Sequence, residues 1–443
     1  MMKTPIYDFV RRYADSSTAR FHMPGHKGVE YLGCEPLDVT EISGADVLYS
    51  PDGIIKESEN NATALFKTAH TYYSTQGSTL AIQAMLTLAI NGRKSDTPPT
   101  VLAARNVHKA FVNAAALLDI DVDWLYPETP SHICSARIST LALDAALSRA
   151  KYAAVYITSP DYLGNIADVK GLSEVCKKHG VPLLVDNAHG AYLAFTEPSM
   201  HPIALGAAMC ADSAHKTLPT LTGGAYLHIS KDFSEYTEGA RSALSVFAST
   251  SPSYLILSSL DLTNRYLADG YPKELRECID CIAAIERELP VPTVSSEPLK
   301  MVFKCTDFGY TGIEFCDHMR TFGIECEFAD DTYAVLMLTP SNSKLELELC
   351  RDALMAIEPK EAVSTPAEPT LLPAQRAMSI RAALLSPHEI IPVDAAVGRI
   401  AATPTVSCPP AIPIVVSGEV ITDSAVALFG RYGIDKIEVV KNA

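Results

Sequence analysis

The sequence predicts an α/β protein with a mainly parallel central sheet, and three observations carry that expectation. Near-continuous apolar runs rich in β-formers recur at 100–106 (TVLAARN), 153–160 (AAVYITSP), 181–189 (VPLLVDNAH) and 223–229 (GGAYLHI). Helical patterns lie between the earlier runs, HKAFVNAAALLD at 108–119 and LSEVCKKHG at 172–180, the second closing on Gly180 as a helix C-cap does. Two of the runs end on polar residues, Arg105 and Asn106 in one, Asp186 and Asn187 in the other. Strands covered on both faces read as unbroken apolar segments, and helices between them supply the crossovers that parallel pairing needs. Ligands in such sheets sit at the carboxyl ends of strands, so the residues after each run are the ones to weigh.

Bulk properties set limits. At 443 residues the chain exceeds one ordinary core and is expected to divide into two or three domains. An apolar share of 48% against 20% charged fits a folded chain. Its 36 basic and 52 acidic residues give a formal net charge of -16, which argues against nucleic-acid or anionic-membrane partners, whose phosphates demand clustered Lys and Arg. The opening MMKTPIYDFVRRYADSS carries charge throughout and lacks the apolar centre of a signal peptide. No apolar run reaches the roughly 18 residues of a membrane helix. The 11 cysteines, scattered from Cys34 to Cys408, suit reduced thiols better than a disulfide framework. Cys278 and Cys281 form a Cys-x-x-Cys pair on a helical pattern with no second Cys/His pair nearby, so no metal is expected. The expected location is the cytoplasm.

Four motifs carry chemistry. QGST at 76–79 opens the helical run STLAIQAMLTLAI. A glycine and two hydroxyl residues at a helix start offer N–H groups, side-chain donors and a favourable dipole to an anion, although Ser and Thr are also ordinary N-caps. ARNVHKA at 104–110 brings out His108, where an imidazole can stack on an aromatic ring or simply begin a helix. VPLLVD ends on Asp186, a carboxylate that is costly to bury unless it meets a cation or several donors. Such an acid could hold a pyridine nitrogen protonated, cap a helix, or bind a metal beside His189. DSAHKTLPTLTGG at 212–224 places Lys216 behind Ser213 and His215. A lysine can form a Schiff base when neighbours or desolvation lower its pKa, and the two side chains before it could donate to a phosphate. Alone, each motif has an ordinary structural reading. Anion cup, strand-end acid and lysine in that order on one parallel-sheet pattern describe a pyridoxal phosphate site.

Past Tyr254, LILSSLDLTNRYLADG and IDCIAAIERELP read as long helices, and a small α+β module follows over 295–358. IEPKEAVSTPAEPTLLP at 357–373 reads as a linker, after which 374–443 combines a helix with Pro-rich loops and short strands.

On these motifs the chain resembles the bacterial ornithine/lysine/arginine decarboxylase family. The matching segments are FHMPGHKG (21–28), SPDGIIKESE (50–59), QGST, ARNVHK, DNAHGAY (186–192), SAHKTLP (213–219), STSPSYLILSSLD (249–261) and GRIAATPTVSCPPAIPIVVSGE (398–419). They stand in the family's order over nearly the whole chain. The resemblance implies an aspartate-aminotransferase-like (fold type I) architecture, in the compact form without an N-terminal receiver-like domain. It divides the chain into an N-terminal segment at 1–60 contributing to the dimer and active site, a large pyridoxal phosphate domain at 61–290, a small α+β domain at 291–360 and a C-terminal family domain at 374–443. By position it makes Lys216 the Schiff-base lysine, Asp186 the partner of the pyridine nitrogen, Ala188 the residue under the ring and His108 the residue stacked over its other face. Ser78, Thr79, Ser213 and His215 match phosphate-side positions, and 249–253 resembles a loop near the neighbouring subunit's cofactor. His26 and Lys27 are a family hallmark without an assigned role.

The implied reaction is decarboxylation of lysine, ornithine or arginine to its amine, in polyamine metabolism, by a homodimer or a multiple of dimers. Lys216 or His215 would return a proton to Cα. Asp46, Glu41 and Glu419 are candidates to receive the far, cationic end of the substrate. The alternatives are an aminotransferase or β-eliminating lyase, for which Arg381 or Arg399 could hold the substrate carboxylate, and a regulatory paralogue with weakened turnover. The chain departs from the family at Asn187 (Glu in the family), Asp161 (Thr), Val47 (Asp), Gly223 and Gly224 (polar residues), Cys408 (Tyr), Ala411 (Gly) and Ser417 (Pro). These departures fall on substrate-side elements and leave the cofactor set intact.

Overall fold

Asp186 ends one strand and Asp212 the next, and the two strands lie side by side in parallel, Asp186 opposite Ala211. That edge of the fold carries the candidate site. The computed structural model describes residues 1–91, 97–127, 132–363, 371–405 and 410–442; Cys408 and part of the expected linker at 357–373 lie outside them. The chain divides into two compact units, residues 1–92 with 182–274, and residues 93–181 with 275–443.

In chain order, the strands of the two units are β1 (His70–Ser74), β2 (Thr100–Ala104), β3 (Asp121–Leu125), β4 (Ala154–Thr158), β5 (Leu183–Asp186), β6 (Met209–Asp212) and β7 (Ala225–Ile229). In the first unit the strands run β1-β7-β6-β5, and in the second β4-β2-β3. The pairing is parallel except at β7, which opposes both β1 and β6. β5, β6 and β7 are buried along their whole length, as strands covered on both faces must be.

Because β7 runs the other way, its first residues share an edge with the last residues of its neighbours. Ser74 lies opposite Ala225, and Asp212 opposite Tyr226. Three turns therefore leave that edge, after Ser74, after Asp186 and after Asp212, while Gly223 and Gly224 enter β7 there. The turn after β1 leads into the helix Gly77–Ile90, which packs on the helix Thr237–Phe247. The N-terminal helix Pro5–Ala14 packs on the helix Tyr254–Asp269.

In the second unit the two helical patterns appear as Lys109–Leu118 and Val169–His179, the latter closing on Gly180 at φ 65°. A small antiparallel sheet runs β8-β10-β9, with β8 (Lys300–Lys304), β9 (Phe328–Ala329) and β10 (Tyr333–Met337). β11 (His388–Pro392) pairs with β12 (Lys436–Val440). Val302, Phe328, Val335, Ile412, Ile414, Phe429 and Val439 belong to one core there. Asp161 is a turn residue of this unit: it accepts from Asn165 N at 2.9 Å and from Asn165 Nδ2, and burial pushes its carboxyl up. Among the described residues no helix is long and apolar enough to cross a membrane. The described cysteines are free thiols.

Candidate active site

The site is built in the first unit from the three turns at the strand edge. After β6, Ser213 starts the one-turn helix Ala214–Thr217, which carries Lys216. Lys216 Nζ donates to His189 Nε2 at 2.9 Å, joining this turn to the one after β5. His215 points the other way. Its Nδ1–H donates to Gly224 O at 2.9 Å, and its backbone N–H reaches the same oxygen at 3.1 Å. Burial pushes the His215 imidazole below its ordinary value, and the nearby Lys216 charge adds to that effect.

Ser213 Oγ donates to Ser78 Oγ at 2.8 Å, so hydroxyls from two separate turns share one place. Ser78 and Thr79 occupy the first turn of the helix Gly77–Ile90, whose N–H groups have no acceptor within the helix. Gly77 sits at φ 68° with open space where a Cβ would be, and its N–H donates to Gly223 O at 2.8 Å. Gly223 lies at φ 97°, and a Cβ there would stand 3.1 Å from Thr75 O and from Ile256 Cδ1. A Cβ on Gly224 would lie 2.2 Å from Thr220 Cγ2. Gly223 and Gly224 thus hold the backbone of both turns.

Asp186 is 2% exposed, and its Oδ1 accepts Ala188 N at 3.2 Å. Asn187, fully buried, donates Nδ2 to Asp212 Oδ1 at 2.7 Å. Asp212 Oδ2 accepts from His201 Nε2 at 3.0 Å and His228 Nε2 at 3.1 Å. The Thr71 hydroxyl donates to His228 Nδ1 at 2.9 Å, which leaves the ring its Nε2–H for Asp212. Burial alone would raise the Asp212 carboxyl, but the two imidazoles more than reverse this and hold it well below the carboxylate range. Burial pushes His228 below its ordinary value. His201, Cys210 and Asp212 are residue types found in metal sites and lie within 4.8 Å of one another. With both imidazoles donating, the carboxylate is satisfied by hydrogen bonds.

The structure brings Ser78, Thr79, Asp186, Ala188, Ser213, His215 and Lys216 to turns of one strand edge. This donor set fits pyridoxal phosphate: a helix start and three hydroxyls for the dianion, a buried carboxylate for the ring nitrogen, and an amine for the aldehyde. His108 lies in the second unit, as N-cap of the helix Lys109–Leu118, its Nδ1 accepting from Ala110 N at 3.1 Å. Two contacts at this edge escape sequence reasoning: His189 with Lys216, and the Asp212 cluster behind Asn187.

The substrate-end candidates already serve the fold. Asp46 accepts the backbone N–H of Val47, Asp52, Gly53 and Ile55 at 2.8 to 3.0 Å, and the last two open the helix Ile54–Phe66. Glu41 accepts the Thr40 hydroxyl and keeps a second buried oxygen without a partner. In the second unit Glu419 lies 3.5 Å from the Arg105 guanidinium and accepts Val416 N at 2.8 Å. Arg381 donates to Ala116 O and Leu117 O, and Arg399 to Glu389 and Val440 O. Ala411 holds φ 56°, and its carbonyl accepts Lys109 N at 2.9 Å. Ser417 Oγ is buried without a partner. His26 caps its own turn through Gly28 N at 2.9 Å and meets Asp38 at 3.3 Å, and Lys27 Nζ donates to His22 O.

The family model described as Orn/Lys/Arg decarboxylase, major domain, matches residues 4–291, and the C-terminal domain model of that family matches residues 358–431. An arginine decarboxylase of Halalkalibacterium halodurans is 30% identical over 465 residues, covering 96% of this chain and 92% of the relative. An arginine decarboxylase of Bacillus subtilis is 29% identical over 461 residues, covering 96% and 92%. The crystal structure of a Francisella novicida lysine decarboxylase superposes with a TM-score of 0.80 at 15% identity, covering 99% of this chain and 81% of that one. The fold is that of fold-type I enzymes.

Proposed function

The chain belongs to the Orn/Lys/Arg decarboxylase family, and from that premise we propose that it removes the α-carboxylate of a basic amino acid with pyridoxal phosphate held at Lys216. The observation behind this reading is the meeting of Lys216, Asp186 and the Ser78–Ser213 pair on turns of one strand edge in one unit. When bound, the cofactor supplies an electron sink for the pair released as the Cα–carboxylate bond breaks. Ser78, Thr79 and Ser213 hold its phosphate at the helix start, where dipole and hydroxyls favour a dianion. Asp186, 2% exposed, would hold a proton at the pyridine nitrogen, and its burial would strengthen that pairing. Lys216 Nζ would hold the cofactor's aldehyde end and, as an amine at the site, could return a proton to Cα. His215, whose Nδ1–H is held by Gly224 O, is the second candidate, and would first have to take up a proton at Nε2 before it could return one to Cα.

Arginine is the first substrate to test, because the named relatives at 29 and 30% identity are arginine decarboxylases. A role in polyamine metabolism, a cytoplasmic location and a dimeric assembly belong to the same proposal. Borohydride reduction of the pyridoxal-phosphate-loaded protein, followed by peptide mass mapping, tests it. Label on Lys216 together with amine release from arginine, lysine or ornithine supports the reading; label elsewhere, or none, rejects it.

A further inference from the structure

We propose that His189 is a catalytic base for Lys216, taking the proton that the lysine must lose before its amine can attack an aldehyde. The inference rests on Lys216 being the cofactor's anchor. Lys216 Nζ stands 2.9 Å from His189 Nε2, and His189 is 5% exposed. A lysine ammonium is a donor only, so the nitrogen it faces presents a lone pair and the ring is neutral. Neutral imidazole is the ordinary form at pH 7, since the unperturbed pKa is about 6.5. An acceptor in contact gives the Lys216 proton a destination.

The position is built rather than incidental. His189 ends the turn Asn187–His189, and three bonds fix that turn: Ala188 N to Asp186 Oδ1 at 3.2 Å, Gly190 N to Asn187 O at 2.8 Å, and Asn187 Nδ2 to Asp212 Oδ1 at 2.7 Å. The neighbouring His215 has its Nδ1–H turned to Gly224 O instead.

In capture of pyridoxal phosphate, one Lys216 proton moves to His189 Nε2, and the freed electron pair bonds the aldehyde carbon while the C=O pair shifts to oxygen. His189 gives its proton to that oxygen, a second nitrogen proton joins it, and the C–O bond breaks to release water. The third proton stays on the nitrogen of the new C=N bond. Nothing is oxidised or reduced.

The test is the rate at which the full chain, stripped of cofactor, captures added pyridoxal phosphate. Visible absorbance follows the rate, and borohydride reduction with peptide mapping locates the label. His189→Gln keeps a hydrogen-bond acceptor but cannot take the proton; it is expected to capture about 10²-fold more slowly, with an unchanged far-UV spectrum and the label still on Lys216. His189→Ala is expected to be as slow and to be accelerated by added imidazole, a rescue that repacking alone would not give. Should His189→Ala fail to fold, His189→Gln decides alone. Capture by His189→Gln at the wild-type rate, or folded His189→Ala that imidazole leaves slow, overturns the role of His189. Wild-type label on a residue other than Lys216 overturns the reading of the site instead, so the two failures are distinguishable.

Discussion

Asn187 donates to Asp212 across 2.7 Å, tying the ends of adjacent strands β5 and β6 together beside the buried Asp186. Asp212 is a charged carboxylate held by two imidazoles in a fully buried place. The family resemblance puts Glu at position 187, and an acid there would confront Asp212 at hydrogen-bond distance. An amide at 187 and an acid at 212 are therefore a matched pair, which gives this departure a physical reason.

The isosteric change Asn187→Asp forces two carboxylates together, one of which must take a proton or move. Its expected cost is about 3 kcal/mol of unfolding free energy by urea denaturation. The double variant N187D/D212N, with a single carboxylate, is expected to be less damaged than N187D. Equal stability of N187D and wild type would refute the pairing.

The Ser78–Ser213 contact joins residues 135 positions apart at the proposed phosphate site. A hydrogen bond to a charged group contributes about 1.5–3 kcal/mol, so Ser213→Ala is expected to weaken pyridoxal phosphate binding roughly tenfold or more. Because the two hydroxyls act as a unit, adding Ser78→Ala should cost less than the single changes sum to. Cofactor titration measures both, and an unchanged dissociation constant in S213A would remove Ser213 from the site.

Asp261 ties down the N-terminal helix, accepting Ile6 N at 2.9 Å, Tyr7 N at 3.0 Å and the Ser58 hydroxyl at 2.5 Å. Burial pushes its carboxyl from 3.8 up to about 6 despite these bonds. With the folded pKa above the unfolded one, the native state binds the extra proton between those values. Stability from this group is thus full below the lower value and lost as pH rises through the upper one. Asp261→Asn has no such group, so the stability of wild type relative to D261N is expected to fall by roughly 2 kcal/mol from pH 4 to pH 7. Parallel urea titrations check this, and a constant difference contradicts it.

Gly223→Ala places a Cβ 3.1 Å from Thr75 O on a backbone at φ 97°. The strain is worth about 1–3 kcal/mol and falls on the carbonyl that receives Gly77 N, so cofactor affinity should drop with stability. A G223A protein with wild-type melting and wild-type cofactor affinity would show that the turn adapts freely.

The strands that sequence makes legible are those apolar throughout, β2, β4, β5 and β7. β6 is four residues, Met-Cys-Ala-Asp, and its final acid disguises a buried strand until His201 and His228 are seen to neutralise it. β3 ends the strand order, and its central Asp123 is exposed, so no unbroken apolar run marks it. The proposed cofactor set can be picked out in sequence because its members lie in motifs that follow one another along the chain. His189 with Lys216 cannot, since the two lie 27 positions apart and only the adjacency of β5 and β6 brings their turns into contact. Gly223 and Gly224 look like substrate-side substitutions in sequence; in three dimensions both are backbone supports, one under the helix start and one under His215.

The most direct measurement supplies carboxyl-labelled arginine, lysine and ornithine in turn to the pyridoxal-phosphate-loaded protein and quantifies labelled carbon dioxide and amine. The account predicts one carbon dioxide per amine from at least one of the three, and none from Lys216→Ala. No carbon dioxide from any of them, or a 2-keto acid as the product, would contradict it.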